Sequence, residues 1–234
     1  MLWALIALVA AAAGTALALG LSSAMETVRA RPYDFALLVT VCLALQLVSL
    51  NLGGKGSMGV SAIGIVAAAV IIGTASAMAI GTVLALAQWA RRRGLAHKAI
   101  FDAGNFTLAA AIAGVLYDTI VPAQPTAAAV FAGATVAGAA YSVVNIGLLC
   151  IAMSLSESRA PWVIWKERFA WAWFALLAFG PLAGVAAINF EQSRLGGVLS
   201  FLLLPLLLVL GMSGQLDEAG LGANVVPRAG SVRR

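Results

Sequence analysis

Seven apolar runs fill most of this chain and limit what it can become. They fall at about residues 2–23, 35–52, 58–90, 99–119, 126–155, 170–190 and 197–214. About 20 apolar residues of helix cross the roughly 30 Å hydrocarbon core of a bilayer, and a helix satisfies its own backbone groups there. The expected fold class is therefore all-α, a polytopic transmembrane helical bundle of about seven spans. The expected domains are a transmembrane unit over 1–214 and a disordered cytoplasmic tail over 215–234, where the sequence is polar and Gly- and Arg-containing.

Composition agrees. The chain is 62% hydrophobic and 10% charged, with a mean hydropathy of +1.01, whereas soluble domains are about 25% charged. No stretch is left for a soluble catalytic domain. The net charge of +5 does not indicate a nucleic-acid partner, because the basic residues cluster at the ends of apolar runs and orient the chain in its lipid partner. Cys42 and Cys150 lie far apart inside apolar runs. They form neither a CxxC pair nor a metal cluster and read as buried structural thiols.

Charge placement sets the expected topology. If the long runs 58–90 and 126–155 each cross once, Arg29, Arg31, Arg91, Arg92, Arg93, Lys98, Arg159, Lys166, Arg168, Arg228, Arg233 and Arg234 share one side. Lys55 and Arg194 alone fall opposite. The positive-inside rule makes the richer side cytoplasmic, with the N-terminus outside and the C-terminus inside. Gly73 and Gly133–Gly138 interrupt the two long runs, so each is either a strongly tilted helix or a short re-entrant preface followed by a span. The first run lacks a basic n-region and exceeds a signal-peptide core, so a retained first span is expected.

Small residues recur four apart at Gly64/Ala68, Gly73/Ala77/Gly81, Ala110/Gly114 and Gly133/Ala137. That spacing lets helices approach closely in lipid, and bundling within the chain is the reading it supports best. Pro181 and Pro205 are expected to bend the last two spans. Ala160–Phe169, with Trp162, Trp165, Lys166 and Arg168, reads as an interfacial segment.

Polar residues inside the runs are the candidates for chemistry. Asp102 and Asn105 share a helical face at i, i+3, and Tyr141 and Asn145 share one at i, i+4. Gln46 and Asn51 lie on the second run. Together these six read either as a pocket for a small polar ligand or a cation, or as interhelical hydrogen bonds. Asp102 falls near the basic loop and is read as a gate or an interfacial ion pair beside an Asn105–Asn145 contact. Gly53–Ser57 (GGKGS) lacks the Walker spacing. No hydrolase triad or zinc motif occurs, so no enzyme, cofactor or metal is expected.

The run KAIFDAGNFTLAAAIAGVLYD at 98–118 resembles a recurring segment of bacterial multispanning membrane sensor domains. These stand N-terminal to HD-GYP or GGDEF signalling modules. Lys98, Phe101, Gly114 and Tyr117 match that pattern, with Asp102 and Asn105 where the family has Asn and Gln. Tyr141–Asn145 (YSVVN) and the Phe179–Leu182 step are similar to two further family segments. The resemblance implies a sensor-like or ligand-binding module of the bacterial cytoplasmic membrane, with Asp102, Asn105 and Asn145 at its polar positions. No output domain follows in this chain, so the module is expected to act through a membrane or cytoplasmic protein partner. Two other readings are a small-solute transport protein, such as a substrate-binding subunit of an energy-coupling-factor-like transporter, and a structural subunit of a membrane complex.

Overall fold

The structure, a computed structural model, describes residues 1–47, 49–51, 57–170 and 173–203. The expectations above for Lys55, Pro205 and the tail fall outside these residues. The elements are α1 (Leu2–Ala30), α2 (Pro32–Leu47), β1 (Ser49–Asn51), β2 (Ser57–Gly59), α3 (Ser61–Ile72), α4 (Thr74–Arg92), α5 (Ala96–Ile120), α6 (Ala127–Glu157), α7 (Pro161–Arg168) and α8 (Trp173–Gln192). A further apolar helix, α9, runs over Arg194–Leu203. The fold is helical as expected, with one three-residue antiparallel ribbon between α2 and α3. Helices α1, α5 and α6 are each long and apolar enough to cross a membrane.

The run 58–90 does not cross once. Gly73, at φ +88° and ψ 162°, takes a backbone conformation that a side chain would strain and separates α3 from α4. Gln46 of α2 bonds both Ser61, at the start of α3, and Gln88, near the end of α4. Helices α3 and α4 therefore fold back on each other. The run 126–155, in contrast, is one helix. The 31 residues of α6 extend about 46 Å at 1.5 Å per residue, more than the roughly 30 Å of hydrocarbon. Its glycines do not break it but let neighbours approach.

This fold-back changes which charges share an end. One end gathers Arg31, Asp34, Thr74, Asp118, Glu191 and Arg194, through Arg31–Asp34, Arg194–Asp34, Arg31–Glu191 and Thr74–Asp118 contacts. The other holds the α4–α5 turn, α7 and the N-terminus, since the rings of Trp3 and His97 lie 5.1 Å apart. Two expectations are corrected. Arg31 and Arg194 lie at the same end, and the N-terminus lies with Arg91–Lys98 rather than opposite. Single crossings had been assigned to keep basic residues together, and the break at Gly73, one of the two forms left open for this run, reverses everything before it.

Helix α3 forms the centre. It is apolar all round, and all its residues except Val70 are buried, as expected of a helix enclosed by others. It packs on α2, α4, α5, α6 and α8. Helix α1 is peripheral, burying the stripe Ile6, Val9 and Ala13 against α4 and α5. The small-residue pairs serve the bundle internally: Gly64 meets Cys42, Gly81 meets Phe106, Gly114 meets Thr74, and Gly133 meets Val121 and Tyr117. A close backbone-to-backbone approach, Gly138 of α6 on Gly180 of α8, was not anticipated. Ile164, fully buried, anchors α7 against Ile146 and Cys150 of α6.

Candidate functional site

The six polar candidates separate into different places. Asn105 of α5 and Asn145 of α6 meet. The Asn105 Nδ2 donates to Asn145 Oδ1 at 2.7 Å and to the Asn145 carbonyl oxygen at 3.1 Å. Asn105 is 2% exposed, and its own Oδ1 is buried with no hydrogen-bond partner among the described residues. A buried acceptor left unpaired costs free energy, so this oxygen is where a donor from a ligand or water would be taken up. Asp102 lies one turn earlier on α5, half-buried and engaged with a neighbour of its own.

Gln46 belongs to a second cluster. Its Nε2 donates to Gln88 Oε1 at 2.9 Å, and its Oε1 accepts from the Ser61 hydroxyl. This network ties α2, α3 and α4 together at the level where the ribbon begins. Asn51 lies in β1, and its side chain is outside what the structure describes. Tyr141 is fully buried in the main apolar core and does not join Asn105. The candidates whose side chains are described thus fall into separate clusters.

A third polar cluster was missed from the sequence. Asp34, 2% exposed, accepts from Arg31 Nε at 2.9 Å and from Arg194 Nε at 2.6 Å. Arg31 Nη1 also donates to the Ile71 carbonyl at 2.9 Å, covering one of the carbonyls that a helix end leaves open. Asp34 lies in the first turn of α2, ahead of the apolar part. The Arg194 guanidinium, and then Arg31, hold its carboxyl below the usual aspartate range against the opposing effect of burial. The i, i+3 spacing of Arg31 and Asp34 was visible in the sequence, while the Arg194 partner was not. Also unanticipated are the Thr82–Thr107 hydroxyl pair at 2.8 Å and the buried Ser76 hydroxyl, which has no hydrogen-bond partner among the described residues.

Grooves among the described residues lie between α1, α4 and α5, about 350 Å³; around Tyr117, Pro125 and Glu191, about 380 Å³; and between α6, α7 and α8, about 480 Å³. Among the described residues no three His, Cys, Asp or Glu side chains come together to hold a metal ion. Both cysteines are buried free thiols.

Comparison with known proteins gives one family. The MASE9 model, which describes a membrane-associated sensor domain, matches residues 24–219. No curated protein and no solved structure matches the chain.

Proposed function

Because the chain belongs to the MASE9 family of membrane-associated sensor domains, we propose that it is a non-enzymatic sensor module whose state is passed to a protein partner. The observation that carries this reading is the unpaired Asn105 Oδ1 buried beside Asn145. A polar acceptor kept unsatisfied between two long helices is a place where ligand or water uptake would change how α5 and α6 pack. Helix α7 follows α6 directly and lies at the basic end, so a shift of α6 is carried to the surface a partner would read. A signalling protein of the HD-GYP or GGDEF kind is the partner class that the sequence resemblance favours.

The proposed orientation places the basic end in the cytoplasm. Arg91, Arg92, Arg93, Lys98, Arg159, Lys166 and Arg168 gather there, against Arg29, Arg31 and Arg194 at the other end, as the positive-inside rule favours. The N-terminus is then cytoplasmic, and the membrane is the bacterial inner membrane. A sensor populates two arrangements. Spin labels on cysteines replacing Arg93 and Ser158, in nanodiscs, are expected to give two distance populations whose ratio changes in Asn105→Leu. A single distance, unchanged by that substitution, would favour a static structural subunit and overturn the reading. Impermeant thiol labelling of Glu26→Cys and Ser193→Cys from one side, and Gly94→Cys from the other, tests the orientation.

A further inference from the structure

The groove between α6, α7 and α8 is lined by Ser142, Ile146, Gly147 and Cys150 of α6 and by Trp162 and Trp165 of α7, among others. The Ser142 hydroxyl is engaged with the Leu176 carbonyl at 3.3 Å, so the wall it contributes to is effectively apolar. Nothing from the described chain fills this space.

Gly147 indicates that the space is kept open. Glycine within a helix weakens it relative to alanine, so a mid-helix glycine needs a reason. Most helical glycines here have one: a Cβ at Gly64, Gly81, Gly114, Gly138 or Gly180 would press on a neighbouring helix. At Gly147 a Cβ would meet nothing within 4 Å. Close packing therefore does not account for it. Gly14 of α1 is similarly open and lines the α1, α4 and α5 groove.

The mouth of the larger groove has the character of a lipid–water boundary. The rings of Trp162 and Trp165 stack with centroids 4.7 Å apart and planes at 13°, and Trp162 is 66% exposed. Tryptophan favours headgroup depth. Arg159 and Arg168 are paired with Glu167 and Glu157, whereas Lys166, on the same short helix, has no ion pair among the described residues. Among the described residues the surrounding end carries seven basic residues against Asp102, Glu157 and Glu167. We propose that this groove binds an acyl chain of an anionic phospholipid, with the headgroup held at the tryptophan pair and Lys166. The site goes beyond the sensor reading, and its failure would leave that reading standing.

The full chain in nanodiscs tests it, with dibrominated acyl chains carried on either phosphatidylglycerol or phosphatidylcholine at equal mole fraction. Bromine quenches tryptophans it touches. Phosphatidylglycerol is expected to quench at least twofold more than phosphatidylcholine, and the Trp162→Phe/Trp165→Phe variant to lose that difference. Gly147→Leu, where a Cβ would meet nothing within 4 Å and the added side chain would extend into the groove, is expected to abolish the preference, and Gly14→Leu, in the other groove, to retain it. Lys166→Gln, on an exposed face, is expected to bring the ratio of the two lipids towards one without touching the packing. Equal quenching by both lipids, a preference that survives Gly147→Leu or Lys166→Gln, or its loss in Gly14→Leu would each overturn the assignment.

Discussion

Asp34 and Arg194 are 160 residues apart in the chain, and their side chains meet at 2.6 Å. The contact joins the start of α2 to the start of α9, and through Arg31 it reaches the end of α3 as well. One carboxylate therefore holds three separate segments at one end of the bundle.

Removing it should loosen all three. Asp34→Ala is expected to cost about 2 kcal/mol, as for a buried acceptor bonded to charged groups. Arg194→Ala is expected to cost about 1 kcal/mol at most, because Arg194 is 70% exposed and solvent screens its share. The folded carboxyl lies below its ordinary value of 3.8. Its contribution is therefore fully present above that pH and is lost as pH falls through the lower folded value. Melting in detergent across this range checks both points, and Asp34→Asn should remove this part of the acid dependence.

At Asn105 the expected signature is an ordering of variants. Asn105→Leu removes the donor to Asn145 and should cost about 1 kcal/mol, the scale of interhelical hydrogen bonds in membranes. Asn105→Asp should be clearly worse, because both atoms it would face, Asn145 Oδ1 and the Asn145 carbonyl oxygen, are acceptors. A double-mutant cycle with Asn145→Leu measures the coupling directly; equal losses for Asn105→Leu and Asn105→Asp would contradict this geometry.

Glycine substitutions should split in sign. At Gly180 a Cβ would stand 2.6 Å from the Thr135 carbonyl oxygen and 2.7 Å from that of Ala134, so Gly180→Ala is expected to cost about 3 kcal/mol through overpacking. At Gly14 the space is open, and Gly14→Ala should stabilise by about 0.5–1 kcal/mol through helix propensity. Thermal unfolding of the two variants side by side distinguishes them.

Apolar length made the helices readable, because a run that suits lipid has few other ways to fold. For 126–155 the same reasoning left a single tilted helix and a broken run both open, and the chain takes the single helix. For 58–90 the interruption at Gly73 was legible and the fold-back was not selected, since charge counting rewards the arrangement that leaves fewest basic residues outside and cannot register a turn made of apolar residues. Helical spacing placed Asn105 and Asn145 on faces that could meet. It could not separate Gln46 from them, because that depends on where α2 sits, and α2 is placed by Ser61 and Gln88. Asp34 was overlooked for a related reason: its meaning comes from Arg194, and no local pattern links residues that far apart.

The enclosure of α3 has a consequence for how the protein is made. Its 12 residues reach only about 18 Å, short of a full crossing, and the backbone break at Gly73 needs protein around it. Part of that cover is α8, which begins at Trp173, a hundred residues after Gly73. During synthesis, then, the centre of the bundle waits for its own wall. A ribosome that stops before α8 leaves behind a chain with most of its helices and no finished interior, a natural substrate for membrane proteases.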